Sequence, residues 1–174
     1  MVEQLDELYR EVILDHFRDP RNRGELPDAQ IKAEGTNPLC GDEMTFWIKL
    51  NPAGPDGQGA GRGERIQQIG FIGKGCAISQ AAGSMFTEQL KGKTLPEVAQ
   101  LIAAMKNLMQ GNAPDPELDL GDLESLVGVR KFPVRVKCAA LSWNVIEQGL
   151  EDYRKLHSEA TGSKPQASGQ NRTA

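Results

Sequence analysis

The chain predicts a soluble domain of mixed α and β structure, α+β or α/β. Three observations predict it. At 174 residues it has one domain's length and enough mass to bury a core. Hydrophobic residues make up 39 % and aromatic residues only 5 %, the balance of a globular protein and not of a fibrous or membrane one. Apolar residues recur at helical spacing in some stretches and alternate in others.

Residues 3 to 18 read as a helix, with Leu5, Leu8, Tyr9, Val12 and Ile13 on one face. Asp19-Pro20-Arg21-Asn22-Arg23-Gly24 supplies its stop. Residues 43 to 51 read as a strand, because Met44, Phe46, Ile48 and Leu50 alternate with Thr45, Trp47 and Lys49. NPAGPDGQGAGRGER, 51 to 65, holds too much Gly and Pro to pack and predicts a long flexible connection. IQQIGFIG, 66 to 73, is a second strand. It runs through Gly73-Lys74-Gly75-Cys76 into a helix of small residues reaching about Leu90, with Ile78, Ala82, Met85 and Phe86 toward the core. Thr94-Leu95-Pro96-Glu97 is a helix start with a capping Thr, an early Pro and a Glu three residues on. The helix it opens carries Leu95, Val98, Ile102, Met105 and Met109 on one stripe, and Gly111 stops it. An acidic loop covers 111 to 122, and a short helix is expected around Leu123 to Val127. The last helix starts near Pro133 and sets Val134, Cys138, Leu141 and Val145 on one face. The chain thus divides into a domain, 1–160, and a disordered tail, 161–174, that lacks large apolar residues.

Formal net charge is −4, so the basic face that nucleic-acid binding requires is missing. No apolar run has the length of a membrane span, and Met1 to Asp6 contain two acids and no export segment, which predicts a cytoplasmic protein. Several partial motifs fail. GQGAGRGER lacks dinucleotide-loop spacing, Thr87 stands where a phosphate loop ending in Gly92-Lys93-Thr94 needs its first glycine, and Asp115, Glu117 and Asp119 read as solvated surface. His16 and His157 read as ordinary surface or interfacial residues.

The three cysteines are the informative residues. In a reducing compartment they are buried small hydrophobes, metal ligands or reactive thiolates. Cys40 and Asp42 flank Gly41 in NPLCGDEM, and residues two apart in extended chain point to one side. Cys76 stands where a strand becomes a helix, so free N–H groups favour its thiolate. Cys138 follows Arg135 and Lys137, cations that favour a thiolate. Three thiolates and a carboxylate make the four ligands of a closed zinc site, or of an iron–sulfur cluster with one hard ligand. The long spacings match no C-x-x-C finger, and helical period puts Cys138 on an apolar face, so core and ligand readings both remain open here.

NPLCGDEMTF, GKGCAISQAAGS and FPVRVKCAALSW, in that order, resemble the U-type iron–sulfur cluster assembly proteins (the IscU/NifU-N-like superfamily). YREVILDHFRDPRNRG resembles that family's first helix and turn, and the likeness spans roughly residues 5 to 155. The resemblance implies an α+β sandwich in which a small antiparallel sheet is packed against helices. It implies that Cys40, Asp42, Cys76 and Cys138 converge as metal ligands. The scaffold branch usually carries a His before the third cysteine, where this chain has Lys137, and a Leu-Pro-Pro-Val-Lys segment, where it has Lys131-Phe132-Pro133-Val134-Arg135. With the extra sequence around 110 to 131, these features resemble the SufU branch. That likeness implies zinc as cofactor, a SufS-type cysteine desulfurase and SUF assembly proteins as partners, and Cys40 as sulfur acceptor. Arg135 and Lys137 would then steady thiolate charge from beside the ligands. The alternative is a scaffold on which the same residues hold a [2Fe–2S] cluster.

Overall fold

The computed structural model describes residues 2–51 and 63–160. The flexible connection expected at 51 to 65 falls mostly, and the tail 161–174 wholly, outside the described residues. Helix α1 is Val2–Arg18, and three strands follow: β1 Ile31–Asn37, β2 Asp42–Asn51 and β3 Arg65–Lys74. Helices α2 (Ala77–Leu90) and α3 (Leu95–Met109), a 3₁₀ helix (Gly121–Lys131) and the long α4 (Pro133–Ala160) complete the chain. The strands form one antiparallel meander in the order β1-β2-β3, packed against helices, an α+β architecture as expected.

Strand alternation decides what the sheet buries. In β2 the residues from Asp42 through Met44, Phe46, Ile48 and Leu50 are buried, while their neighbours are not. Phe46 stacks on Phe71 of β3, their rings 6.1 Å apart. Helix α4 lies along β1, antiparallel to it. A Cβ on Gly149 would stand 2.6 Å from Ala33, and one on Gly35 would overlap Val145. Helix α2 crosses β3, where Gly83 lies against the Phe71 ring. The capping box of α3 is complete, with Thr94 and Glu97 bonded reciprocally.

Some expectations shift. Strand β1, IKAEGTN, carries no strong alternation and is not legible in the sequence, yet it pairs with β2 along its whole length. The short helix expected at Leu123 to Val127 is a 3₁₀ helix of 11 residues. Val134 is exposed, and Ile78 and Met109 are half-buried, whereas Leu101 and Leu108 join the core from α3. His16 is not a surface residue. It is fully buried, its Nδ1 2.8 Å from Ser84 Oγ and its Nε2 2.8 Å from Asp122 Oδ2.

Candidate metal and sulfur site

The hairpin between β1 and β2 presents the first two site residues. Asn37 builds its turn. The Asn37 carbonyl accepts from the N–H groups of Cys40 (3.2 Å) and Gly41 (2.8 Å), and its side-chain Oδ1 accepts from Leu39 N–H at 3.2 Å. Gly41 closes the turn at φ +69°, in the left-handed region that glycine enters without strain. Cys40 therefore sits at the hairpin tip, half-buried, and Asp42 begins β2 with 1 % of its surface exposed.

Cys76 caps α2. Its sulfur accepts from Ser79 N–H at 3.4 Å, and its own N–H donates to Asp42 Oδ1 at 3.1 Å. The strand-to-helix junction expected at Cys76 is present, with Cys76 as its cap, and one carboxylate oxygen is pinned by the backbone. Gly75 lets this happen. Its φ is +150°, and a Cβ there would collide with the Asp42 carboxylate. Cys138 sits in the second turn of α4, fully buried.

These elements bring Cys40, Asp42 and Cys138 into one group and set Cys76 against Asp42. Cys40 Sγ and Cys138 Sγ, 98 positions apart in the chain, lie 3.3 Å from each other. Ligand atoms of Cys40, Asp42 and Cys138 lie within 4.8 Å of one another. Cys76 Sγ is 3.7 Å from Asp42 Oδ2. Sulfurs bound to one zinc at about 2.3 Å in tetrahedral array stand about 3.8 Å apart. The donor set, three soft sulfurs and one hard oxygen, fits zinc and fits an iron–sulfur cluster.

Burial, above all, pushes the Cys138 thiol up from its ordinary range; bonds to Cys40, Asp42 and Cys76 add to this. Arg135, one helical turn earlier on α4, bonds Cys138 and feels the charge of Cys76, so its guanidinium is held still more firmly in the charged form. Lys137 is exposed, and no hydrogen bond or ion pair ties it to a sulfur among the described residues. A second group of ligand-type atoms, His16, Glu88 and Asp122, also lies within 4.8 Å. There both imidazole nitrogens already serve Ser84 and Asp122, which makes the group a structural tie between helices.

Three residues that the sequence did not single out also surround the ligands. Asn37 faces Asp42 across the hairpin, and Ser79 and Gln80 follow Cys76 in α2. The one signal for Asn37 was its place at the head of NPLCGDEM.

The chain matches the family described as NifU-like N terminal domain over residues 8–160. It is 42 % identical over 146 residues to the zinc-dependent sulfurtransferase SufU of Bacillus subtilis, across 84 % of this chain and 91 % of that one. It is 33 % identical over 148 residues to the iron–sulfur cluster assembly scaffold protein IscU of Streptococcus pyogenes, across 85 % and 86 %. The crystal structure of FiSufU from Fervidobacterium islandicum AW-1 superposes with a TM-score of 0.70 at 32 % identity, covering 80 % of this chain and 94 % of that one. A NifU-like N-terminal protein from Brucella abortus, 21 % identical, shares the fold with a TM-score of 0.72. The chain belongs to the NifU-like N-terminal domain family, the superfamily of the U-type assembly proteins.

Proposed function

We propose that this protein works in iron–sulfur cluster assembly as a sulfur shuttle. Cys40 takes persulfide sulfur from a SufS-type cysteine desulfurase and passes it to SUF assembly proteins. The observation that carries the reading is the convergence of Cys40, Asp42, Cys76 and Cys138 from three separate elements. The SufU relative, named zinc-dependent, supports zinc as the resident metal. Cys40, Asp42, Cys76 and Cys138 would hold it. Zinc keeps thiolates deprotonated at neutral pH without oxidising them.

The chain's own residues do the rest. Cys40 is the one cysteine sulfur on a hairpin tip, whereas Cys76 is fixed as the cap of α2 and Cys138 within α4, so Cys40 is the nucleophile best placed to meet a partner. Its thiolate attacks the outer sulfur of the donor's persulfide. A new S–S bond forms on Cys40, the old one breaks, and the donor cysteine leaves as a thiolate, so electrons balance. Arg135 offsets the negative charge gathered at the sulfurs. Leu39, Phe132 and Val134 are exposed apolar residues flanking Cys40 and Arg135 in sequence, a surface suited to a protein partner. No helix of the described residues is long and apolar enough to cross a membrane, and we place the protein in the cytoplasm.

Cys40→Ser tests the role. Wild-type protein should raise desulfurase turnover several-fold and the variant should not; equal stimulation by both would refute the shuttle. The second reading, a scaffold holding a [2Fe–2S] cluster on the same ligands, draws support from the IscU relatives. Metal analysis of protein purified without air separates the two. One zinc per chain favours the shuttle; iron with acid-labile sulfide favours the scaffold.

A further inference from the structure

Among the described residues, four buried side-chain N or O atoms have no hydrogen-bond partner: Asn37 Nδ2, Glu64 Oε2, Gln80 Nε2 and Ser142 Oγ. Glu64 lies at the far end of β3, where its other oxygen accepts from Tyr153. The remaining three can all donate a hydrogen bond, and each is one register step or one helical turn from a candidate ligand: Asn37 opposite Asp42, Gln80 four residues after Cys76 and Ser142 four residues after Cys138.

The placement follows from register. Asn37 pairs with Asp42 across the hairpin, so their side chains share a face. Ser142 is one helical turn past Cys138 and Gln80 one turn past Cys76, and helical side chains lean back toward the preceding turn. Along α4, Cys138, Ser142, Val145 and Gly149 form one stripe. Gly149 meets Ala33 and Val145 meets Gly35, so the next inward residue of β1, Asn37, falls beside the turn that holds Cys138 and Ser142. The Gln80 amide lies over Gly73, as the Met44 methyl does, one pleat inward from Gly75 and Asp42. The three side chains are 7 %, 6 % and 0 % exposed for Asn37, Gln80 and Ser142.

The thiols serve one another. Cys40 and Cys138 share a bond, Cys76 donates to Asp42, and Cys138 donates to the Val134 carbonyl. A sulfur bound to a metal has no proton to donate, so those bonds are lost and its lone pairs need donors. Three thiolates and a carboxylate also outweigh the two charges of a zinc ion, and the surplus is negative. Buried donors without acceptors destabilise a fold. Three of them within one register step or helical turn of the candidate ligands are explained if loading supplies the acceptors.

We propose that Asn37, Gln80 and Ser142 form a donor layer whose hydrogen bonds are completed by the sulfurs of the loaded centre. They act as positioning residues, holding the thiolates through small side-chain rotations. The inference rests on the metal reading above and adds residues to it.

The test uses Ser142→Ala and Gln80→Met, which remove a donor and nearly keep the volume, together with Asn37→Asp, which keeps the acceptor for Leu39 N–H. Zinc affinity is measured by chelator competition, melting is followed with and without zinc, and the thiolate-to-cobalt(II) charge-transfer band is recorded. Ser142→Ala and Gln80→Met should each lower zinc affinity about tenfold. They should shift the cobalt band, shrink the rise in melting temperature that zinc produces, and leave the zinc-free protein as stable as wild type or more so. Asn37→Asp should shift the cobalt band as well. A merely structural role predicts the reverse for the two conservative variants: a less stable zinc-free protein with the zinc increment and cobalt band unchanged. That result overturns the donor layer while leaving the four ligands in place. Wild-type protein that shows no thiolate-to-cobalt band overturns both readings.

Discussion

Gly75 decides where Asp42 points. Its position admits no side chain without moving the carboxylate, and its φ of +150° disfavours any residue with a Cβ. The site therefore depends on an atom that is missing. Gly75→Ala should lower zinc affinity at least tenfold, read by chelator competition, because it displaces the proposed ligand Asp42 and the bond from Cys76 N–H that steadies it. Gly41→Ala is the control: its Cβ would meet nothing within 4 Å, so only the strain of φ +69° is felt, and metal affinity should change little. Equal losses in the two variants would mean that Asp42 is not a ligand.

At the scale of elements, the 3₁₀ helix Gly121–Lys131 is tied to α1 and α2 through side chains. Buried His16 of α1 reaches Ser84 of α2 and Asp122 of the 3₁₀ helix at once, and Ser84 Oγ also accepts from Arg21 N–H at 2.8 Å. His16→Ala should cost about 3 kcal/mol in urea unfolding, from two lost bonds and a cavity. Asp122→Ala, whose carboxylate is half exposed, should cost about 1 kcal/mol. A His16→Ala loss under 1 kcal/mol would refute the tie. The same elements show what the sequence disclosed. Strand β2, helix α3 and the Cys76 cap were legible because local rules fix them: alternation in Met44 to Leu50, a capping box at Thr94, a glycine before a helix start. Strand β1 and buried His16 were not. Ile31, Ala33 and Gly35 are too few and too small for an alternation signal, and a histidine is polar until its two distant partners, Ser84 and Asp122, enclose it. Of the site, the thiols and Asp42 could be named from resemblance and residue type. The unpaired donors behind them could not, since a missing partner is visible only in three dimensions.

For the molecule as a whole, the candidate ligands come from the β1–β2 hairpin, the start of α2 and the start of α4, so a metal bound there clamps sheet to helices. Unfolding separates sulfurs that are 98 positions apart in the chain, and an ion that binds only the folded form stabilises it by mass action. With free zinc at a hundred times the dissociation constant the gain is about 2.7 kcal/mol, or roughly 8 °C in melting temperature for a chain of this size. Calorimetry with zinc and with excess chelator should show that difference, and Cys138→Ser should abolish most of it. The pH dependence has a defined sign. Burial holds the Cys138 thiol in its protonated form above its ordinary range, so a proton must leave before the metal seats. Lowering the pH makes that step harder. Zinc affinity should fall by at least about tenfold per pH unit, and the zinc-dependent rise in melting temperature at a fixed zinc concentration should shrink in step. A rise independent of pH between 6 and 8, roughly the range where thiols are normally protonated, would mean that the stabilising ion binds away from the cysteines.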